Sequence, residues 1–288
     1  MHPGVKMKFA VISNNSKDPE KLYLKKVRKE VEEAGGTVCF CETFGIGSNL
    51  SNAWDNQPDF ILAMGGDGTF LNIAGRTMHL GIPILGINIG SMGFLSGVEV
   101  NETRYAIDSM IRGDYRISNR MTACAEVFSN GEKTVSIEAL NDIVISRGML
   151  SRIVNVATYI DGKYVDSFPG DGAIVSTPTG STGYSLSAGG PVIDHGIELF
   201  VITPICPHIM HARPFVTGAD SEIRMVVKEE GEYKCILTAD GQKGLELKGG
   251  DEVVVKRGSN EIKLVKIGSD NLYETLREKI YYRKAGEA

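Results

Sequence analysis

The sequence predicts two parts: an α/β domain with a parallel sheet, then a mostly antiparallel β-rich domain. Apolar runs of strand length alternate with helical patterns before about residue 118, which is typical of parallel βαβ units. Beyond that point short β-like stretches follow one another, separated by turn signals such as Asn130-Gly131. The expected domains are residues 1–118, residues 119–268, and a polar terminal segment, residues 269–288, that could dock on the first domain.

The first part contains clear helix signals. Asp18-Pro19-Glu20 combines a capping carboxylate, a proline permitted in the first turn and an acid at the positive end of the helix dipole. Gly35-Gly36 ends that helix. A second helix is expected after the glycine loop, from about Phe70, and a third over residues 102–112. The apolar, β-branched runs that we expect to form strands are residues 8–12, 37–41, 59–64 and 82–87.

The second part is predicted mainly as strands. Its terminal segment, residues 270–284, is polar and is expected to be helical at first. The expected strands are residues 123–128, 135–140, 142–146, 154–160, 223–227, 234–238 and 252–256.

Composition excludes several classes of protein. The 288 residues are 42% hydrophobic and 23% charged, with a net charge of −5, which is ordinary for a globular protein. The sequence has no long basic run that would favour nucleic-acid binding, and no apolar run near the ~20 residues that cross a bilayer. Five cysteines without a CxxC pair argue against a disulfide framework or zinc site. We expect buried reduced thiols and a cytoplasmic location.

A glycine loop follows the third predicted strand. Gly65-Gly66-Asp67-Gly68-Thr69 stands where α/β sheets bind ligands, and glycines let backbone N–H groups approach phosphates. A phosphate cradle needs no acid at its centre, so Asp67 is better explained as the acceptor of a proton from an attacking hydroxyl, or as a group near the donor's metal. The alternative is a tight turn. The loop matches neither a P-loop nor a Rossmann fingerprint.

A second candidate site is a run of small and hydroxyl-bearing residues over positions 171–192. Its hydroxyls could bind riboses, amides and phosphates without adding charge, and Tyr184 adds an aromatic face with a polar tip. Such runs are often plain linkers. Here the apolar run 173–175 leads in and Gly189-Gly190-Pro191 leads out, so the sequence favours a structured turn.

These motifs carry a family resemblance. The segments at residues 65–71, 176–184 and 187–191 strongly resemble the ATP-NAD kinase family. Further matches lie at Ile87–Gly90 with Gly93-Phe94-Leu95, at Leu140-Asn141-Asp142, at residues 203–208 with 212–214, and at Asp240-Gly241-Gln242. The glycine loop alone is shared with diacylglycerol-type lipid kinases, whereas the hydroxyl-rich run is far more specific.

The resemblance implies roles for individual residues. Asp67, beside Gly68, would accept the proton of the NAD hydroxyl, and Phe94 would lie against the adenine. Asn141 and Asp142 would hold the nicotinamide-side ribose and amide, and Asp171 would contact the nicotinamide end. The remaining implied ligand contacts are Arg152, Thr182, Gly183, Tyr184, Ser185, Leu186, Ser187 and Gln242.

The sequence departs from the family pattern at three places. Gly183 stands where many members have alanine, which should loosen the turn. Ser91 stands where many have histidine. Pro169 occupies a position that is often basic, so one contact to a phosphate or a carboxamide is in doubt.

Simpler explanations exist for several candidates. Phe94 could be a core residue, and Asn141-Asp142 a hairpin turn. His208 and His211 have the spacing of metal ligands, but Pro207 and the lack of a third ligand favour structural roles.

The resemblance predicts an NAD kinase that uses ATP as donor, NAD as acceptor and Mg²⁺ to neutralise the donor phosphates. It also suggests a homodimer or homotetramer. We expect a site at the domain boundary, no nucleic-acid partner and no membrane association. The rivals are a diacylglycerol-type lipid kinase and a dinucleotide sensor without turnover, which would leave Asp67 without a purpose.

Overall fold

The computed structural model describes residues 6–45, 50, 54–90, 93–148, 153–228, 235–268 and 272–277. The chain divides into two compact units. One contains the described residues up to Asn119 and those from Ile262 onward, and the other is Arg120–Glu261. The sequence places the second boundary at 268, but residues 262–266 belong to a strand in which Leu264 pairs in parallel with Ile84 of the first unit.

The first unit is built on a parallel sheet. Its strand order is β17-β4-β3-β1-β2, and β5 pairs with β4. Because neighbouring strands are parallel, their carboxyl ends share one edge: Ser13 pairs with Met64, and Gly65 with Asn88. The strands are β1 Lys8–Asn14, β2 Thr37–Phe44, β3 Phe60–Gly65, β4 Ile84–Asn88, β5 Val98–Glu99 and the last part of β17 Glu252–Lys266.

Helices of the first unit connect these strands. α1 is Leu22–Glu33, and the Asp18 carboxylate accepts the first-turn backbone amides of Tyr23 and Leu24 at 3.1 and 2.9 Å, as expected of a capping carboxylate. The helix begins later than predicted, because Lys21 is its N-cap, so Pro19 and Glu20 precede its first turn. The second helix, α2, is Asp67–Thr77, followed by a 3₁₀ turn over Met78–Leu80. α3 is Thr103–Arg112, and a short α5 is Leu272–Leu276.

The core of the first unit lies between its sheet and helices. Phe9, Leu62 and Leu85 from the strands pack with Val27 of α1 and Ile107 of α3, and all five side chains are fully buried. Burial on both faces explains why β3 and β4 consist almost entirely of apolar residues.

The second unit contains a six-stranded antiparallel sheet of order β13-β12-β11-β8-β15-β16. Its strands are β8 Asp142–Arg147, β11 Gly172–Ser176, β12 Leu199–Ile205, β13 Phe215–Gly218, β15 Cys235–Ala239 and β16 Gln242–Leu247. The expected combination of a parallel α/β part with an antiparallel β part is confirmed.

Further antiparallel strands of the second unit pack against that sheet. β9 pairs with β10 and β14, β14 pairs with the first part of β17, and β6 pairs with β7. Their fully buried side chains, such as Phe168 and Met225, share one core with Phe200 of β12. These strands are β6 Arg116–Ser129, β7 Glu132–Ala139, β9 Val154–Ile160, β10 Lys163–Gly170 and β14 Ile223–Val227.

The expected burial of the thiols needs correction, whereas the terminal segment is described only in part. The thiols are free, but only Cys235 is buried, and Cys206 is exposed. The predicted terminal segment 270–284 is described only at residues 272–277, where it begins as a helix, and its other residues lie outside the described part. Among the described residues no helix combines the length and apolar character needed to span a membrane.

Candidate functional site

The glycine loop lies at the junction of β3 and α2, as its sequence predicts. The helix begins at Asp67, not near Phe70, because the carbonyl of Gly66 already accepts the amides of Thr69 and Phe70 at 3.0 and 3.1 Å. A Cβ atom on Gly65 would approach the Thr69 hydroxyl to 2.4 Å, so this close turn requires glycine. Asp67 therefore occupies the first position of the helix, at the carboxyl edge of the parallel sheet.

The Asp67 side chain is held by a neighbouring loop. Its Oδ2 accepts the backbone amide of Phe94 at 2.7 Å, and its Oδ1 accepts that of Leu95 at 3.1 Å. Gly93 leaves space for the carboxylate, because a Cβ there would lie 1.8 Å from Oδ1. The structure thus brings Phe94 to Asp67 through its backbone, while contact of its half-buried ring with adenine stays a prediction.

A cavity of about 470 Å³ opens beside this carboxylate. Asn14 donates from Nδ2 to the Thr69 hydroxyl at 2.6 Å, and the Lys17 ammonium lies 3.2 Å from where a Cβ of Gly66 would be. The lining residues are Asn14, Lys17, Gly66, Asp67, Gly68, Thr69 and Gly93.

Sequence reasoning missed Asn14 and Lys17. Asn14 is the last residue of β1, and Lys17 follows that strand. The carboxyl end of β1 lies next to that of β3 in the parallel sheet. That adjacency was the available signal, because side chains after neighbouring parallel strands meet at one edge.

Asn141 and Asp142 form a fixed turn in the second unit. The carboxylate of Asp240 accepts the amides of Leu140, Asn141 and Asp142 at 2.9, 2.6 and 3.2 Å. On the other side, the Thr177 amide donates to the Asn141 carbonyl at 2.9 Å, and the Thr177 hydroxyl donates to the Leu140 carbonyl at 2.6 Å. The turn is therefore tied to two other segments of its unit.

The electrostatics of this turn are unusual. Asp142 is only 5% exposed, and burial together with the nearby charge of Asp240 raises the pKa of Asp142 to about 7. Burial also raises the pKa of Asp240, while its three backbone hydrogen bonds act in the opposite direction. The site thus contains a carboxyl group that titrates near neutrality.

The hydroxyl-rich run is a structured turn. It forms a 3₁₀ turn over Gly180–Thr182 and one helical turn, α4, over Tyr184–Ser187. Several of its hydroxyls already have partners within the chain. Ser181 donates to the Pro178 carbonyl at 2.7 Å, Thr182 donates to the Thr179 carbonyl at 3.3 Å, and Ser185 bonds to the Thr203 hydroxyl at 2.9 Å.

The exposed side of that turn is formed by other residues. Tyr184 is 46% exposed and Ser187 is exposed, whereas Thr182, Gly183 and Leu186 are half-buried. Partial burial, then the nearby Cys206, Asp171 and Asp142, raise the pKa of the Tyr184 phenol. These influences place Tyr184 near two of the other predicted ligand contacts.

The remaining predicted ligand contacts are Asp171, Gln242 and Arg152. Asp171 forms an ion pair with Arg147, with 2.8 Å between Oδ1 and Nε, a partner that the sequence did not indicate. Gln242 is the first residue of β16, next to the Asp240 turn. Arg152 lies outside the described residues, as does the departure at Ser91.

Pro169, one of the three departures from the family pattern, lies in β10. Pro169 pairs with Asn155 of β9, and its carbonyl accepts the amide of His208 at 2.8 Å. Pro169 therefore has a structural position within a strand. His208, which follows Pro207, is held there through its backbone amide.

Comparison with known proteins covers both units. The ATP-NAD kinase N-terminal domain model matches residues 9–115, and the ATP-NAD kinase C-terminal domain model matches residues 140–267. The NAD kinase of Acetivibrio thermocellus is 38% identical over 283 residues, which cover 96% of this chain and 98% of that protein. The NAD kinase of Ruminiclostridium cellulolyticum is 41% identical over 285 residues, covering 96% and 99%.

Solved structures show the same architecture. The structure of yeast NADH kinase complexed with NADH matches with a TM-score of 0.81 at 22% identity, and the match covers 98% of this chain and 89% of that chain. At this identity the likeness shows a shared fold and no more. An NAD kinase from Archaeoglobus fulgidus in complex with ATP has a TM-score of 0.74 at 27% identity, covering 94% and 99%. From the two domain models and these relatives, the chain belongs to the ATP-NAD kinase family.

Proposed function

We propose that this chain transfers the γ-phosphoryl group of ATP to the 2′-hydroxyl of the adenosine ribose of NAD, forming NADP and ADP. The observation that carries the proposal is the setting of Asp67, a carboxylate fixed by two backbone amides beside an open cavity. Family membership supports the choice of substrates, since the relatives are NAD kinases and the Archaeoglobus protein binds ATP.

Asp67 is suited to accept a proton. In the reaction the ribose 2′-oxygen bonds to the γ-phosphorus, the bond from that phosphorus to the leaving ADP oxygen breaks, and the hydroxyl proton passes to Asp67. A carboxylate has about four lone-pair sites, and the amides of Phe94 and Leu95 use two, so capacity remains for the hydroxyl. Because such transition states are loose, Asp67 acts mainly by orienting the hydroxyl and accepting its proton late.

The donor phosphates would bind in the cavity beside Asp67. Lys17 supplies a positive charge there, and the first amides of α2 lack acceptors within the helix. Among the described residues, no three His, Cys, Asp or Glu side chains are grouped to hold a metal ion. Mg²⁺ is commonly held by substrate phosphates, water and one or two carboxylates, so we expect it to enter as part of the ATP complex.

The second unit would recognise the dinucleotide. Asn141, Asp142 and Asp171 offer acceptors for ribose and amide donors, and Tyr184 offers a ring and a phenol. Arg152 and Gln242 are proposed to contribute further contacts on the strength of family membership. The match of the C-terminal domain model to residues 140–267 favours NAD over a lipid substrate, because the glycine loop alone would not separate the two.

The test is direct. The purified chain is incubated with Mg²⁺, NAD and ATP labelled at the γ-phosphate, and the label is followed into NADP. Appearance of labelled NADP supports the proposal. Tight NAD binding without transfer would indicate a sensor, and transfer to diacylglycerol but not to NAD would indicate a lipid kinase.

A further inference from the structure

The hairpin between β15 and β16 contains a carboxylate that accepts several backbone hydrogen bonds. Asp240 and Gly241 form its turn, both with positive φ, of 52° and 66°. The Asp240 carboxylate accepts three consecutive backbone amides, from Leu140, Asn141 and Asp142. Its own amide donates to the Asp142 carbonyl at 3.0 Å. A residue about 100 positions away thus fixes the backbone of the Asn141-Asp142 turn.

The turn itself does not require a carboxylate. Asn130-Gly131 and Asp161-Gly162 join other antiparallel strands of this unit with similar positive φ angles, of 52° and 81°, and of 50° and 74°. Asparagine therefore supports this backbone as well as aspartate does. What asparagine lacks is acceptor capacity, since one of its two terminal groups is an N–H donor. Aspartate is required at position 240 because its two carboxylate oxygens together accept three backbone amides.

The turn held by Asp240 carries an unused acceptor. Oδ1 of Asn141 is buried, and within the described residues it has no hydrogen-bond partner. The Asn141 and Leu140 carbonyls, in contrast, both accept from Thr177. A buried acceptor without a partner costs free energy, so this oxygen is available to a donor supplied from outside the chain. The carboxamide N–H₂ and the ribose hydroxyls of a dinucleotide are donors of this kind.

We infer that Asp240 is a positioning residue for NAD: it holds the 140–142 turn so that Asn141 Oδ1 and the Asp142 side chain meet donors of the nicotinamide-side ribose and carboxamide. This inference rests on the proposed function for the identity of its ligand. Asp240 touches backbone amides, so it acts through Asn141 and Asp142.

The charge of Asp240 gives this role a distinct signature. Among the described residues, the titratable groups of neighbouring elements that interact electrostatically with Asp142 include the Asp240 carboxylate and the Tyr184 phenol. Burial and the Asp240 charge raise the pKa of Asp142 to about 7. An ionised Asp142 accepts ribose hydroxyls better than a protonated one, so NAD affinity should rise as the pH increases through about 7. Removing the Asp240 charge lowers the pKa of Asp142 and moves this rise to lower pH.

The test compares Asp240→Asn with Asp161→Asn in the full chain. Asp161 is a matched control, because it occupies the same kind of turn and also accepts a backbone amide, that of Glu222 at 2.9 Å. Asp240→Asn should raise KM and Kd for NAD about tenfold or more, leave KM for ATP within about twofold, and change kcat at saturating NAD by less than about threefold. Asp161→Asn should leave all of these values unchanged.

Two further measurements complete the test. The pH midpoint of NAD affinity should move to lower pH in Asp240→Asn, a change that loss of rigidity alone does not produce. If Asp240→Asn does not fold, Asn141→Ala carries the test, since it leaves the backbone contacts to Asp240 in place and should weaken NAD binding with the same selectivity.

Unchanged NAD affinity in folded Asp240→Asn, or equal losses for NAD and ATP, would overturn the inference. An unchanged NAD affinity in Asn141→Ala would do the same. Kd for NAD is measured by calorimetry without ATP, so a wild-type chain that binds NAD but forms no NADP would reject the proposed function and leave this test intact.

Discussion

Gly93 lies so close to Asp67 that a Cβ atom at position 93 would come within 1.8 Å of the carboxylate Oδ1. The same loop donates the amides of Phe94 and Leu95 to that carboxylate. The glycine and the two amides together define where the proposed proton acceptor can sit. Gly93 thereby controls the position of the carboxylate that we propose as the proton acceptor.

Gly93→Ala should fold but lose activity. The atom that must move is the end of the Asp67 side chain, which can rotate away, so the chain tolerates the methyl group while the carboxylate is displaced. A displacement of about 1 Å can cost a factor of about 100 in rate, and we expect kcat to fall by that order with little change in Kd for NAD. Steady-state kinetics and calorimetry measure the two quantities.

Gly75→Ala is the control for this substitution. Gly75 is in α2, and a Cβ there meets no atom within 4 Å, so the variant should keep full activity and gain about 0.5–1 kcal/mol of stability. Normal kcat in Gly93→Ala would show that the position of the carboxylate is not critical.

Lys17→Met should weaken use of ATP selectively. The Lys17 ammonium lies over Gly66 in the cavity beside Asp67, where it can contact donor phosphates. A charge-assisted hydrogen bond contributes about 1.5–3 kcal/mol, so KM for ATP should rise about tenfold or more while Kd for NAD stays constant. Lys25→Met, at an exposed position of α1, should behave as the wild type. An unaltered KM for ATP in Lys17→Met would remove Lys17 from the donor site.

Gly180→Ala should impair NAD binding more than Gly183→Ala does. A Cβ on Gly180 would lie 2.1 Å from the Asn141 backbone oxygen, which is fixed by Thr177 and cannot yield. A Cβ on Gly183 would approach the Gly180 oxygen only to 3.2 Å, which small shifts relieve. Measured Kd values for NAD that are equal in the two variants would contradict this ranking.

The free energy of unfolding should depend on pH through Asp142. Its pKa is raised to about 7 in the folded chain from a reference of 3.8, so the folded state favours the protonated form. The stability associated with that proton is fully present below the reference value and is lost as the pH rises towards about 7.

Asp142→Asn removes this dependence. The free energy of unfolding of the variant minus that of the wild type should therefore be larger at about pH 8 than at about pH 5. Urea unfolding without ligand measures both values. The same difference between variant and wild type at both pH values would show that Asp142 titrates normally.

The sequence predicted those features that depend on local pattern. Apolar runs and glycine stops placed β1, β3 and α1, because buried parallel strands and capped helices carry strong local signals. Leu199–Ile205 was not predicted as a strand. Pro204 lies within it, opposite Ala173, and a proline in a run argues against a central strand.

The site was predicted only in part, for a related reason. Asp67 and Asn141 stand in motifs that a reader of the sequence can find. Asp240 was seen as part of a motif, but its three amide contacts join segments about 100 residues apart, and Lys17 reaches the glycine loop only because β1 and β3 are adjacent. Contacts of this kind depend on the order of strands, which local patterns do not determine.

The most direct test of the account is the turnover of Asp67→Asn. The substitution keeps the size of the side chain, removes its ability to take a proton and gives up one of its two backbone amide contacts. We expect kcat for NADP formation to fall by a factor of about 100 to 10,000 while Kd for NAD stays within about threefold. Asp108→Asn, at an ion-paired aspartate of α3, should turn over normally. NADP formation by Asp67→Asn at the wild-type rate would contradict the account.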